Sequence, residues 1–377
     1  MRAELTVGVV APRTGRLAKL GAPLLFAGEL FRERAPRVAG RRLRLAVRDS
    51  RSDPRAAKAA AADLAREADV VVAMGGTRVL PALSDTCEQL GVPCLTTTFP
   101  WQVWHRGRGG SPERPFRWTH HFCWGLDDIA AVFADMWDEV APAARVGCLW
   151  NDDLQGAWLR KEFPAALADR PHELVLAAPY AEPAADLAPQ IAEFRAAGVD
   201  VVTAAGTGED LDLFRAQAAR LGLRPRLITS SRWLTYPRAT PVPGVATLVY
   251  WSPQHPYRSS VDGMSAAELA AAFERSTGQQ WLQPLGLAHA LFEVAAEALG
   301  TAADPEDPGS VADALARVKL DTVAGTLDWT GGPAPNVATV PLAGGQWRSD
   351  GDGRCELRVV TNRRCPDVLP EAALLLR

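Results

Sequence analysis

The residues best suited to chemistry lie in one stretch, Ala73 to Trp104, which reads AMGGTRVLPALSDTCEQLGVPCLTTTFPWQVW. A short apolar strand, Val70–Ala73, ends just before Gly75 and Gly76, and Thr77 then opens a helix. A second buried strand, Pro93–Thr97, carries Thr96 and Thr97 and runs into Thr98, Pro100, Trp101 and Trp104. Hydroxyls, unpaired N–H groups at a helix start and glycines that admit close backbone approach suit a bound carboxylate or amide oxygen. The two strand ends are expected side by side at one edge of a parallel sheet, as a wall with hydroxyls, N–H groups and aromatic faces. That is the chemistry of recognition; it requires no nucleophile.

Other constellations carry less. No GxSxG occurs, no Ser/His/Asp set follows from spacing, and no dinucleotide fingerprint is present. His120 and His121 are adjacent, the wrong spacing for two ligands on one face of a strand, and His255 and His289 are isolated. The six cysteines match neither zinc nor CxxC spacing. Cys355 and Cys365 flank a Thr-Asn-Arg-Arg turn and read either as a hairpin disulfide or as free thiols; Cys94 and Cys123 offer a thiol and nothing more. No catalytic residue, metal or cofactor is therefore expected.

In the second half, Gly206-Thr207-Gly208 sits between a strand and a helix. It reads either as an anion site or as an ordinary turn capped by Asp210. Ser230-Ser231-Arg232-Trp233 follows the next strand. Arg232 reads either as a carboxylate partner or as a solvated side chain.

The elements that must position these residues alternate strand and helix. Glu4–Val10 is a strand, Leu17–Arg34 an amphipathic helix, Arg42–Arg48 a strand, and an Ala-rich helix runs from Pro54 to about Ala68. Val70–Ala73, a helix over Arg78–Leu90 and Pro93–Thr97 complete a doubly wound parallel lobe. Trp101–Arg117, WQVWHRGRGGSPERPFR, breaks the rhythm. It reads either as a functional insertion or as a mobile solvated loop. The alternation restarts with helices over Asp127–Val140, Gly156–Ala168, Ala184–Ala197 and Asp210–Leu221. Strands Val146–Trp150, Leu174–Ala178, Asp200–Ala205, Arg226–Thr229 and Val245–Tyr250 lie between and after them. Helices Ser265–Thr277, Leu285–Gly300 and Ser310–Val318 follow, then short strands and turns, with Glu356–Val360 last.

The 377 residues suffice for two lobes. A 47% hydrophobic and 23% charged composition is that of a globular protein, and a net charge of −3 gives no whole-molecule reason to expect nucleic acid or an anionic membrane as partner. No apolar run is long enough to span a bilayer. Met1 leads straight into a strand, so localisation is read as cytoplasmic if Met1 is the native start and extracytoplasmic if a leader was removed.

GVVAPRTGRLAKLG, LRLAVRDSRSDPRAAKAAAADL and GVPCLTTTFP resemble the amino-acid-binding branch of the type I periplasmic binding proteins, the leucine/isoleucine/valine-binding-protein family of ABC transporters. AAGVDVVTAAGTGEDLDLFRAQAARLGL resembles that family's second-lobe unit, and the likeness extends over essentially the whole chain. It implies an α/β fold of two doubly wound parallel-sheet lobes joined by a three-strand hinge. Lobe 1 would be residues 1–121 plus 253–327, and lobe 2 residues 122–252 plus 328–377. It further implies that Thr77, Gly76 and the Thr96–Thr98 run grip a ligand carboxylate or amide. A lobe-2 carboxylate, Asp152, Asp153 or Glu209, would take an ammonium group.

Two departures stand out. Where the family often has an aromatic residue over the ligand, this chain has Leu154 or Gln155. The short connection before Phe116-Arg117 is expanded into the basic Trp101–Pro115 segment. With twelve tryptophans, several near strand ends, a larger, flatter or cationic ligand is expected. The ligand-facing set is then Gly76, Thr77, Thr96, Thr97, Thr98, Trp101, Trp124, Leu154, Gln155, Thr207, Arg232 and Trp233. The implied function is a non-enzymatic solute-binding protein that closes its lobes on an amino acid, amide or aromatic carboxylate. Its partner would be an ABC permease or, inside the cell, a regulator. The alternative is a cytoplasmic sensor or an enzyme of secondary metabolism on the same scaffold.

Overall fold

The computed structural model describes residues 2–231, 242–349 and 354–377. The chain divides into two compact units and passes between them three times. The first comprises Met1–Gly125 and Trp251–Val340, the second Leu126–Tyr250 and Pro341–Arg377. Residues 328–340, placed above in the second lobe, stay with the first unit because a short strand within them pairs into its sheet.

The first unit begins with β1 (Glu4–Ala11), α1 (Gly21–Arg34), β2 (Arg37–Val38), β3 (Arg41–Asp49), α2 (Pro54–Leu64), β4 (Val70–Met74), α3 (Val79–Leu90), β5 (Cys94–Thr97), α4 (Trp101–His105) and β6 (Thr119–Phe122). The second unit then contributes α5 (Leu126–Trp137), β7 (Arg145–Leu149), α6 (Leu154–Ala166), β8 (Glu173–Leu176), α7 (Ala188–Ala196), β9 (Val201–Ala204), α8 (Gly208–Arg220), β10 (Leu227–Ser230) and β11 (Val245–Val249). The chain returns to the first unit for α9 (Ala266–Thr277), α10 (Pro284–Thr301), α11 (Pro308–Leu315), β12 (Lys319–Thr322), β13 (Gly325–Asp328) and β14 (Val337–Ala338), and ends in the second with β15 (Ala343–Ser349) and β16 (Cys355–Thr361).

Local chemistry explains most boundaries. Asp53 caps α2 by accepting from the Ala56 N–H, with Pro54 in the first turn where its missing N–H costs nothing. Gly91, at φ 70°, ends α3 in the left-handed conformation. Ser265 and Glu268 form a reciprocal capping box on α9.

The first sheet has the order β14-β6-β5-β4-β1-β3-β2 and the second β16-β15-β11-β10-β9-β7-β8. In each, consecutive strands run outward in opposite directions from one point, between β1 and β4 in the first and between β7 and β9 in the second. The strand carboxyl ends beside such a switch point are where open α/β sheets bind ligands. Valines fill the centre of the first sheet, with Val70, Val71 and Val72 wholly buried. Phe31 of α1 stacks on Phe292 of α10, ring centres 6.0 Å apart, below it.

The first half of the Trp101–Arg117 segment is packed, while residues 112–115 are exposed. It forms α4 and a one-turn 3-10 helix, Arg106–Arg108, that pack onto β6 and α3. Trp104 is fully buried and its indole N–H donates to Ser84 at 3.2 Å. The Arg108 guanidinium lies 4.5 Å from the Trp104 ring centre and 4.0 Å from that of Phe116. Of its basic residues, Arg106, Arg108 and Arg117 lie over aromatic faces.

His120 and His121 are both buried, because β6 lies inside the sheet between β5 and β14. His121 Nδ1 meets Thr96 Oγ1 at 2.8 Å and Nε2 meets the Phe99 carbonyl at 2.9 Å. All six cysteines are buried free thiols.

Candidate functional site

The strand ends expected to form a wall do come together in the first unit. β4 and β5 are parallel neighbours, with Ala73 opposite Thr96 and Met74 opposite Thr97. The threonines have different fates. Thr97 Oγ1 donates to the Phe122 carbonyl at 2.6 Å and Thr96 bonds to His121, so both hydroxyls stitch β5 to β6. Both are buried strand residues whose hydroxyls already have partners within the sheet.

Thr98 takes another role. Its hydroxyl accepts from the Gly75 N–H at 3.1 Å and donates to the Gly75 carbonyl at 2.8 Å, pinning the loop after β4 to the end of β5. Its backbone sits at φ 101°, a conformation costly for a β-branched residue. Strain of this kind gathers at functional loops, and here it is held by the reciprocal pair with Gly75.

Thr77 is half-buried, and its side chain makes no hydrogen bond among the described residues. It does not open the helix: α3 starts at Val79, and Arg78 occupies the cap position without a side-chain bond. The N–H groups of Val79 and Leu80 both turn back to the Gly76 carbonyl. Thr77 thus projects from a two-residue turn between glycines and helix, its hydroxyl available. The glycines keep the turn close to neighbouring leucines. A Cβ at Gly76 would lie 2.9 Å from the Leu17 side chain, and one at Gly75 3.2 Å from that of Leu80.

Trp101 begins α4, and its N–H donates to the Trp124 carbonyl at 3.1 Å. Both indoles are largely buried, and Arg106 lies over the Trp101 ring at 4.9 Å. Around the switch point the first unit thus gathers Gly75, Gly76, Thr77 and Thr98, with Trp101 and Trp124 at the ends of the next two strands.

In the second unit, Asp153 caps α6 by accepting from the N–H groups of Gln155 and Gly156. Both bonds fall on Oδ1, so one oxygen of this carboxylate is committed to the cap. Gln155 is buried and Leu154 exposed, so of the two residues replacing the aromatic, Gln155 is the one held in place. Asn151 Nδ2 donates to Glu182 at 2.7 Å, and its buried Oδ1 has no partner among the described residues. Thr207, not Asp210, is the cap of α8, and accepts from the Asp210 N–H at 3.2 Å. Asp210 is buried and accepts from the Ala184 N–H at 2.8 Å. The pairing of Asn151 with Glu182 escaped sequence reading because isolated polar residues in loops carry no periodic signal. Arg232 and Trp233 lie outside the described residues.

Among the described residues no cluster of three or more histidine, cysteine or acidic side chains is placed to hold a metal, and no helix is long and apolar enough to cross a membrane.

The family described as periplasmic binding protein matches residues 4–352. No curated protein sequence matches the chain. Solved structures do. A leucine-binding protein from Thermotoga maritima is 17% identical, with a TM-score of 0.76 over 95% of this chain and 99% of that one. An ABC-transporter solute-binding protein from Rhodopseudomonas palustris, solved with 3,4-dihydroxybenzoic acid, is 18% identical, with a TM-score of 0.72 over 99% and 98% of the two chains. A fatty acid ABC transporter substrate-binding protein from Thermomonospora curvata is 14% identical, with a TM-score of 0.74 over 100% and 96%. At these identities the likeness establishes the fold, two doubly wound α/β units of the type I periplasmic binding protein kind.

Proposed function

This chain belongs to the periplasmic binding protein family, and from that premise we propose that it binds a small solute at the switch-point end of its first sheet. It presents that solute to a partner without changing it chemically. The observation that carries the reading is the Gly75-Gly76-Thr77 turn. A free hydroxyl stands there beside glycines that admit a ligand oxygen to the backbone, on a loop fixed by the Thr98–Gly75 pair.

The proposed ligand carries a carboxylate or amide and a flat or apolar body. The first group suits Thr77, and the second suits Trp101 and Trp124. Gln155 contributes an amide where a π-face would otherwise stand, and so favours a ligand with a further polar group. The proposed partner is an ABC permease and the proposed location extracytoplasmic, in keeping with the family. Structural neighbours that hold leucine and dihydroxybenzoate define the panel to try.

Thermal shift and calorimetry against branched amino acids, amides, hydroxybenzoates and fatty acids test the proposal, with mass spectrometry of the ligand after incubation. Saturable binding with the ligand recovered intact is expected. Turnover of a bound ligand would overturn the non-enzymatic reading, and no binding across the panel would overturn the ligand class.

A further inference from the structure

The ends of the first sheet opposite Gly75 and Thr98 border a groove of about 550 Å³. Its charged lining is Arg32 and Glu29 of α1, Arg37 of β2, Arg42 and Arg44 of β3, and Glu4 of β1. Leu43 and Leu45 add apolar surface. Four guanidinium groups therefore meet two carboxylates. Glu29 pairs with Arg32 at 2.7 Å and Glu4 with Arg42 at 3.3 Å. Among the described residues Arg37 donates only to the Gly40 carbonyl, at 3.0 Å, and Arg44 reaches across to Thr6 and Glu67. The groove keeps a net positive charge in a chain whose total is −3.

The same groove adjoins an unfinished sheet edge. β2 pairs with β3 only at Arg37–Arg42 and Val38–Arg41, while β1 pairs with β3 along its whole length. Strand backbone groups alternate in direction, and two bonds fix the phase. The Arg42 N–H points inward to the Ala3 carbonyl at 3.2 Å, and the Leu43 N–H points outward to the Pro36 carbonyl at 2.9 Å. Leu45 and Val47 therefore point their N–H and C=O groups outward too. They face no strand among the described residues. Arg48 covers the Val47 carbonyl at 3.0 Å, which guards the far end of this edge and leaves the Leu45 groups and the Val47 N–H open.

We propose that this edge receives an extended acidic peptide segment of a partner protein, which adds to the first sheet as a strand alongside β3. Strand addition supplies backbone hydrogen bonds, and the side chains flanking the edge set the choice of peptide. Here those side chains are arginines around two leucines, so the segment alternates acidic and apolar residues. A second copy of this chain is a poor occupant. Two such edges would bring guanidinium groups against guanidinium groups, and like charges facing across strands destabilise pairing.

The probe is a short fluorescent peptide alternating glutamate and valine. Binding is read by anisotropy at low and moderate salt, with backbone hydrogen exchange at Leu45 and Val47. Saturable binding that slows exchange at those two amides is expected. Methylating the peptide nitrogens that face β3 should weaken it by about tenfold, the loss of one or two backbone bonds. Arg37→Glu with Arg42→Glu should abolish it, while the thermal shift produced by a bound solute stays unchanged. No saturable binding would overturn the proposal. So would binding indifferent to methylation, which would be charge attraction alone, or a concentration-dependent dimer that protects the same amides without peptide.

Discussion

Arg108 Nε donates to Asp85 Oδ1 at 2.7 Å from a side chain that is only 1% exposed, although Asp85 itself is half in water. A cation drawn inward to a surface carboxylate is stable only if other groups replace its hydration. Here Thr119 Oγ1 does so at 3.1 Å, with the rings of Trp104 and Phe116. Arg108→Ala is expected to destabilise the first unit by about 2–4 kcal/mol by removing this packed cation. Arg108→Lys should recover only part of the loss, because an ammonium group cannot stack and fork together. Urea unfolding followed by tryptophan fluorescence measures both.

Thr77 and Thr98 should separate binding from scaffolding. Thr77→Val is expected to weaken solute affinity by about 1–3 kcal/mol, leaving a ligand oxygen unpaired, with little change in melting temperature. Thr98→Val should lower stability as well, since it frees the loop that carries Thr77. Calorimetry beside a thermal melt of each variant distinguishes the two, and an unchanged affinity for Thr77→Val would remove that residue from the site.

Acid should weaken the first unit through its histidines. Burial pushes the His120, His121 and His255 imidazoles down to about 3, and burial with the nearby Arg108 and Arg106 cations pushes His105 to about 4. Their ordinary value is near 6.5, so below that pH the unfolded chain takes up protons that the folded chain refuses. Stability is complete above about pH 6.5 and falls toward pH 3–4, by about 1.4 kcal/mol per pH unit for each such histidine. Urea midpoints between pH 7 and pH 5 read the slope, and His121→Gln should reduce it by one proton.

Glu293 of α10 is buried, yet nearby donors hold its carboxyl below the usual range. His289 leads them, followed by Ser260 through its hydroxyl and N–H. The Val323 N–H is a further donor, at 3.1 Å. The carboxylate ties α10 to two loops. Glu293→Gln is expected to cost about 3 kcal/mol, because an amide leaves some of these donors unmatched in a dry site. Differential scanning calorimetry is the measurement.

Periodic elements were legible in the sequence because burial imposes a period. β1, β3, β4 and β5 announced themselves by valine and leucine runs, and α2 by its Asp53-Pro54 start. Nonperiodic features were not. β6 carries Thr119, His120, His121 and Phe122, too polar to read as an interior strand until Thr96 and Asn336 supply partners from other parts of the chain. The Trp101–Arg117 segment stayed open between two readings for a similar reason, since a ring beneath a guanidinium is not encoded by neighbours in sequence. At the site, the glycines and the availability of Thr77 were readable. The inward turn of Thr96 and Thr97 depends on the partner strand β6, which the sequence did not announce.

The triple passage between units has a consequence in time. Phe31 and Phe26 are made early, but the rings that cover them, Phe292 and Phe273, emerge only after the whole first stretch of the second unit. Strand β14 completes the first sheet later still, and β16 closes the second near the very end. During synthesis the first sheet, complete but for β14, must therefore wait with its α1 face bare while another sheet grows from the same chain. Neither unit can finish until β14 and β16 have emerged, so the unguarded interval, more than the finished fold, is where a destabilising substitution in α1 or α10 would be felt first.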